Sequence, residues 1–285
     1  MKSYKLGVIG NPIEHSLSPK IHSIFAKQAN IQIDYQAYRV EEIDLELFIE
    51  DFFKKGGDGL NVTVPHKINC LNFADEHSAD VRAIGAANTL SFNKSTNKIY
   101  AHTTDGAGFV ADAIKKDISI FDANILILGA GGAAQSIIPM IHAKHPASIV
   151  LDNRTQEKIQ AVLDRFSLLK SDEPSARAKL TGLKNFSKHR SLTDNINLVI
   201  NTTSAGFDGP FSWDKDIFTT RDTIFYDLSY NKIDSSTPFL SWASQYSDQC
   251  HNGIGMLINQ AALSFEIWTG IKPDINLAEN EFFNE

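Results

Sequence analysis

Asn124-Ile125-Leu126-Ile127-Leu128-Gly129-Ala130-Gly131-Gly132-Ala133-Ala134 is an apolar run that stops at a glycine-rich turn and resumes as a helical pattern. The run of branched aliphatic residues predicts a strand, followed by a turn and a helix. Gly129 and Gly131 with Ala134 fit the spacing G-x-G-x-x-G/A. Small residues there let the backbone approach a pyrophosphate, and the helix that follows offers unpaired N–H groups and a positive dipole end. The spacing alone is a weak signal, because a glycine-rich turn without a ligand has the same composition. Its weight comes from context, after a strand and at the opening of a helix.

Downstream, Ile149 to Asp152, Leu198 to Asn201 and Ile224 to Asp227 are further short apolar runs separated by helical stretches, the pattern of an α/β protein. The first ends Leu151-Asp152-Asn153-Arg154-Thr155, about twenty residues past the glycine turn, where a site for a free ribose places an acid. Here the tip is Asn153 and Arg154, with Lys158 one turn into the next helix. A guanidinium and an ammonium at that place suit a ribose 2′-phosphate, and so NADP. Asp152 stands against this reading, since a shift of one position would let its carboxylate reach the ribose. A methyltransferase also carries a glycine turn after its first strand, but it would want an acidic ribose clamp in place of Asn153-Arg154. From Ser167 to Arg190 the sequence is polar and without periodicity, an excursion that reads equally as an ordered lid or as length variation. Met256 to Trp268 is strongly helical and ends at Gly270.

Upstream, Leu6 to Ile9 predicts a buried strand, followed by a polar loop. Ser18-Pro19 reads as a helix start, with serine as N-cap and proline at the first helical position. Ile21, Ile24 and Phe25 continue the apolar stripe. Tyr35 to Val40 predicts a second strand, Leu45 to Lys55 a helix ended by Gly56-Gly57, and Leu60 to Val64 a third strand. Asn88 to Phe92 and Ile99 to Ala101 predict a hairpin around Asn93 to Asn97, and a helical stretch runs from Asp105 to Lys116.

A chain of 285 residues suggests about two domains on a prior of roughly 150 residues each. The 42% hydrophobic content supports a packed core, and a net charge of -7 argues against a nucleic-acid footprint or a polybasic membrane patch. The longest uncharged run, Ile125 to Ile141, is broken by Gly129, Gly131, Gly132 and Pro139, unlike a membrane span. Cys70 and Cys250 form no motif and read as free thiols of a reducing compartment. The N-terminus has no apolar signal-peptide core, so a cytoplasmic protein is expected.

Asn61-Val62-Thr63-Val64-Pro65-His66-Lys67 puts an ammonium just past a β-branched run, and Thr103-Thr104-Asp105-Gly106 puts a carboxylate at the start of a helix. A lysine and an aspartate at chain turns, in a chain that also carries a nucleotide turn, suggest proton transfer coupled to a cofactor reaction. These stretches, with Gly10-Asn11-Pro12-Ile13-x-His15-Ser16-x-Ser18-Pro19, Asn88-Thr89, Gly129 to Ala133, Asn153-Arg154-Thr155, Thr203-Ser204-Ala205-Gly206, and Gly255-Met256-Leu257 with Gln260-Ala261-Ala262, resemble the shikimate dehydrogenase family. The matches run in order from residue 7 to about 270, nearly the whole chain.

The resemblance implies reversible NADPH-dependent reduction of 3-dehydroshikimate to shikimate in aromatic amino-acid biosynthesis. It implies an α/β protein of two domains flanking a cleft. One is an N-terminal α/β substrate domain, residues 1–104 joined by C-terminal helices at 238–285. The other is a Rossmann-type doubly wound NADP domain, residues 105–237. Lys67 is then the general acid/base, stabilising the developing alkoxide and donating its proton, with Asp105 holding Lys67 and the reacting hydroxyl. Ser16 and Ser18 are placed to bind the substrate carboxylate, and Thr63, Asn88 and Gln260 its hydroxyls, with Tyr230 at the cleft. A small hydroxylated acid needs such short polar side chains, which reject analogues lacking a matched hydroxyl. NADP would lie on Gly129, Ala130, Gly131, Gly132 and Ala133, on Asn153, Arg154, Thr155 and Lys158, and against Leu228 and Gly253.

Two positions depart from the family pattern: Thr103 where Asn is common, and Gln135 where Arg often follows the glycine turn. The first bears on the support of Asp105, and the second shifts weight to Arg154 and Lys158. His15, His22, His66, Cys70, His77 and His102 match no zinc spacing, so no metal is expected. The substrate is expected to be a small molecule, with neither nucleic acid nor membrane as partner and with a monomer or homodimer both open. The rival readings are a quinate/shikimate dehydrogenase with relaxed NAD/NADP use and a catalytically silent nucleotide sensor. The sensor would not need both Lys67 and Asp105.

Overall fold

The computed structural model describes residues 2–167, 179–182, 196–203, 205, 209–213, 219–231 and 236–284. The chain divides into two compact units, 1–109 with 257–285, and 110–256.

The first unit is built on β1 (Ser3–Gly10), whose alternation places side chains on opposite faces. Tyr4, Leu6 and Val8 enter one apolar cluster with Tyr35 and Trp268, while Ile9 enters another with Leu60 and Val62. β2 (Gln32–Arg39) and β3 (Gly59–Val62) pair parallel to β1 on its two sides. β5 (Thr89–Asn93) then pairs antiparallel to β3, and β6 (Lys98–His102) antiparallel to β5, with the short β4 (Glu76–His77) at the edge. Helices cover the sheet: α1 (Ser18–Ala29), α2 (Leu45–Lys54), the short α3 (Ala79–Ile84), α8 (Ile254–Thr269) and α9 (Ile275–Asn284). α2 turns Leu45, Ile49, Phe52 and Phe53 into the second cluster.

The second unit has a fully parallel sheet of β7 (Asn124–Leu128), β8 (Ser148–Asp152), β9 (Lys179–Gly182), β10 (Leu198–Asn201), β11 (Ile224–Asp227) and β12 (Cys250–His251). The strands lie in the order β9-β8-β7-β10-β11-β12, so the chain reverses direction across the sheet beside β7. That is the doubly wound arrangement, with its ligand crevice at the carboxyl ends of the strands. α5 (Gly132–His142), α6 (Gln156–Ser167) and α7 (Pro238–Ala243) belong to this unit, and α4 (Asp105–Lys115) begins in the first unit, which holds residues up to 109 and not up to 104, and ends in the second. Leu126, Leu128, Val150, Val199, Phe225 and Phe239 share one core. Among the described residues no helix is long and apolar enough to cross a membrane.

Several expectations are corrected. Ser18 is the first helical residue, not the N-cap: Leu17 occupies the cap without a side-chain bond, and Ser16 Oγ accepts from the Ser18 N–H at 3.3 Å. β3 stops at Val62, because the Thr63 carbonyl closes a turn onto the His66 N–H. Within 167–190, Lys179–Gly182 is an edge strand paired to β8; the rest of that stretch from 168 lies outside the described residues, as do Ser204 and Gly206. Residues 238–256 group with the second unit and not the first, since β12 pairs with β11 and Phe239 and Leu240 pack beside Phe225.

Candidate active site

Lys67 sits in the turn after β3, and Asp105 is the first residue of α4. Lys67 Nζ donates to Asp105 Oδ2 at 2.6 Å, with side chains 13% and 6% exposed. A carboxylate in a first helical turn also meets the positive end of the helix dipole. Its other oxygen, Oδ1, accepts from Asn88 Nδ2 at 2.9 Å, so both carboxylate oxygens are engaged. Thr103 contributes neither of these two bonds.

Asn88 holds this arrangement. Its Oδ1 accepts from the Thr104 N–H at 2.8 Å, which sets the amide so that Nδ2 faces Asp105. Thr104 Oγ1 at 2.8 Å and Gln260 Oε1 at 3.0 Å lie within reach of the same Nδ2. Two protons thus face three acceptors, and one bond is shared. Gln260 Nε2 donates back to Leu257 O within α8 at 2.9 Å. Beneath lies a second tier: Tyr35 Oη donates to Asn61 Oδ1 at 2.7 Å, Asn61 Nδ2 donates to Ser264 Oγ at 3.0 Å, and Ser264 Oγ pairs with Thr89 Oγ1 at 2.7 Å. Buried polar groups are costly unless paired, so this tier fixes the side chains above it. Gln260, on α8, reaches Asn88 because Gly108 lets α4 approach: a Cβ at 108 would stand 2.8 Å from both Gln260 N and Cβ.

The loop bearing Ser16 lies beside the turn bearing Thr63 and Lys67. β1 and β3 are parallel neighbours, and the Asn11 N–H donates to Val64 O at 2.9 Å. Ser18 is buried and Ser16 and Thr63 half-buried. Ser16, Ser18, Thr63, Lys67, Asn88, Asp105 and Gln260 therefore all belong to the first unit, most at one end of its sheet. Asn61, Thr89, Thr104 and Ser264 were missed by sequence reasoning. Asn61, Thr89 and Thr104 stood inside quoted motifs, and Ser264 follows Gln260 by one helical turn, which was the available signal.

In the second unit, Gly129 follows β7 with φ +113°, a value only glycine adopts freely, and a Cβ there would meet Thr202 Oγ1 at 2.3 Å. Gly131 caps α5 with open space where a Cβ would stand, and no side chain caps the helix. That leaves a backbone cradle at a helix N-terminus, which fits a pyrophosphate. At the end of β8, Asn153 Nδ2 donates to Thr155 O at 2.9 Å, shaping a turn with Arg154 exposed; Lys158 is exposed as well. A cationic tip of this kind fits a ribose phosphate. Asp152 does not point the same way: it is buried, and its Oδ2 accepts from Trp213 Nε1 at 2.7 Å. Leu228 follows β11 and Gly253 follows β12, close enough that a Cβ on Gly253 would meet Leu228 O at 2.2 Å. Tyr230, half-buried, lies in this unit too.

Burial shifts other titratable groups. Burial pushes His22, packed on Tyr35, down to about 3. Burial pushes Asp227 up to about 6 against hydrogen bonds from Thr237, Ser229 and Asn201. Burial likewise pushes the Cys70 thiol up to about 12, which leaves it unreactive. Among the described residues no group of three or more His, Cys, Asp or Glu could hold a metal ion.

Three family models match the chain: "Shikimate dehydrogenase substrate binding domain" at residues 8–90, "Shikimate / quinate 5-dehydrogenase" at 111–205 and "Shikimate 5'-dehydrogenase C-terminal domain" at 253–280. The shikimate dehydrogenase (NADP(+)) of Colwellia psychrerythraea is 37% identical over 269 residues, 94% of this chain and 92% of its own. A shikimate dehydrogenase solved in complex with NADP+ is similar with a TM-score of 0.79 at 30% identity, over 99% of this chain and 95% of that one. The shikimate 5-dehydrogenase of Thermus thermophilus, solved with NADP(H) and shikimate, gives 0.80 at 25% identity over 99% of each chain.

Proposed function

The chain belongs to the shikimate dehydrogenase family, and we propose that Lys67 and Asp105 carry its chemistry, the reversible NADPH-dependent reduction of 3-dehydroshikimate to shikimate. The observation that carries the assignment of residues is the buried Lys67–Asp105 pair at 2.6 Å, with Asn88 on the second carboxylate oxygen. NADPH, when bound, supplies the hydride to the ketone carbon. Lys67 Nζ stabilises the negative charge that grows on the ketone oxygen and gives that oxygen its proton; in the reverse direction the amine takes the proton back. Asp105 holds the ammonium in place and accepts a hydrogen bond from the substrate hydroxyl. Because Asp105 is itself held by Asn88, the pair is pre-organised, and little rearrangement is required at the moment of reaction.

Ser16 and Ser18 take the substrate carboxylate, while Thr63, Asn88 and Gln260 take ring hydroxyls, with Tyr230 lining the approach. Gly129 to Ala133 cradle the pyrophosphate, Arg154 and Lys158 take the 2′-phosphate with Asn153 and Thr155, and Leu228 and Gly253 complete the cofactor site. A biosynthetic dehydrogenase with two unpaired cysteines belongs in a reducing cytoplasm.

The test is nicotinamide reduction by the purified protein, with shikimate or quinate crossed against NADP+ or NAD+. Turnover confined to shikimate with NADP+ is expected. Comparable rates with quinate or NAD+ would replace this reading by the relaxed quinate/shikimate form, and no turnover in any pair would overturn it.

A further inference from the structure

Asp152 ends β8, the place from which an acidic side chain normally takes ribose hydroxyls. A carboxylate there would bond the 2′-hydroxyl of NAD and repel the 2′-phosphate of NADP. Its position in this chain is otherwise: Asp152 is 6% exposed, and Oδ2 accepts from the Trp213 indole at 2.7 Å. Indole Nε1 is a donor only, so the bond forms in one direction, and a donor to a carboxylate makes one of the stronger hydrogen bonds. The donor is also anchored. Trp213 packs against the cluster of Phe211, Phe225 and Phe239, edge-on to Trp242 at 6.5 Å.

We propose that Trp213 is a specificity-determining residue, which holds the Asp152 carboxylate inward so that the strand tip is presented by Asn153 and Arg154. The proposal rests on the NADP reading of that tip and explains how a strand ending in an aspartate accepts a phosphorylated ribose. Trp213 itself touches no cofactor; it acts through Asp152.

Calorimetric titration with NADP+ and NAD+, without substrate, tests it on the wild type, Trp213→Phe, Asp152→Asn and the double variant. Trp213→Phe keeps an aromatic ring in the core and deletes the N–H. It should lower the preference for NADP+ over NAD+ by about tenfold, the scale of one unit charge repelling another across about 12 Å at an effective dielectric of about 20. In the double variant the preference should return, because the carboxylate is what the indole restrains. Asp152→Asn alone should leave the preference near wild type, and this holds even where Trp213→Phe fails to fold. An equal loss of both cofactors in Trp213→Phe, no recovery in the double variant, or a large gain in NADP+ affinity from Asp152→Asn alone would each overturn the role of Trp213. A wild type that prefers NAD+ would overturn the cofactor reading and the proposal together.

Discussion

Lys67→Met keeps most of the aliphatic stem and removes the ammonium, so it isolates the proton transfer from packing. Turnover should fall by about 10²–10⁴, the usual worth of a positioned acid/base, while the KM for shikimate moves only a few-fold. Steady-state kinetics with near-wild-type turnover would remove Lys67 from the mechanism. Asn88→Ala should also cut turnover strongly, since it unpairs one oxygen of a buried carboxylate. His22 is a different case, a titratable group whose contribution is to stability. Its folded pKa of about 3 lies below the ordinary 6.5, so below pH 6.5 the unfolded chain binds a proton that the folded chain refuses. Stability contributed by the neutral imidazole is full above pH 6.5 and is lost as pH falls toward 3, by roughly 4–5 kcal/mol over the window. Urea unfolding of His22→Phe between pH 7 and 4 should show a shallower acid slope than wild type. An unchanged slope would mean that other groups set it.

The approach of α4 to α8 depends on the missing side chain at Gly108. Gly108→Ala forces a methyl to within 2.8 Å of the Gln260 backbone, a contact that no rotamer relieves. A loss of about 1–3 kcal/mol by urea unfolding is expected, with lower turnover as Gln260 moves off Asn88. Stability equal to wild type would show that the helices shift freely. The Asn88–Gln260 bond was not legible in the sequence, because the two residues stand 172 positions apart and packing, not spacing, brings them together. What was legible follows from burial. β7, β10 and β11 were read at their observed bounds because a strand covered on both faces writes an unbroken apolar run. β9 and β12 were missed because Lys179-Leu180-Thr181-Gly182 and Cys250-His251 are short edge segments held by ladder bonds to a neighbour, which leave no pattern. Lys67 stands out in the sequence because Pro65 marks the end of the β-branched run before it, and Asp105 because it opens a helical pattern, whereas for Ser264 only helical spacing from Gln260 gives a signal.

The two units carry buried titratable groups of opposite effect. Asp227, in the second unit, has its folded pKa raised from 3.8 to about 6, so between these values the folded chain holds a proton that the unfolded chain has lost. Its contribution is full below pH 3.8 and is lost as pH rises through 6, the reverse of His22 in the first unit. Amide exchange, corrected for intrinsic rates, should show protection on acidification from pH 7 to 5 falling in β1 and β3 relative to β7 and β10. Parallel changes in both sheets would contradict this. The division of the chain has a further consequence, in the order of its manufacture. A ribosome adds about 5–20 residues per second from the N-terminus, and domains fold as they emerge. The second unit, 110–256, is finished while the first still lacks 257–285. Until that segment emerges, Asn61 has no Ser264 to bond, Asn88 has no Gln260, and Trp268 is not yet packed with Leu6 and Val8. The nascent chain therefore carries a complete nucleotide unit ahead of a half-covered sheet, and Gln260 and Ser264, the partners of Asn88 and Asn61, are translated after it.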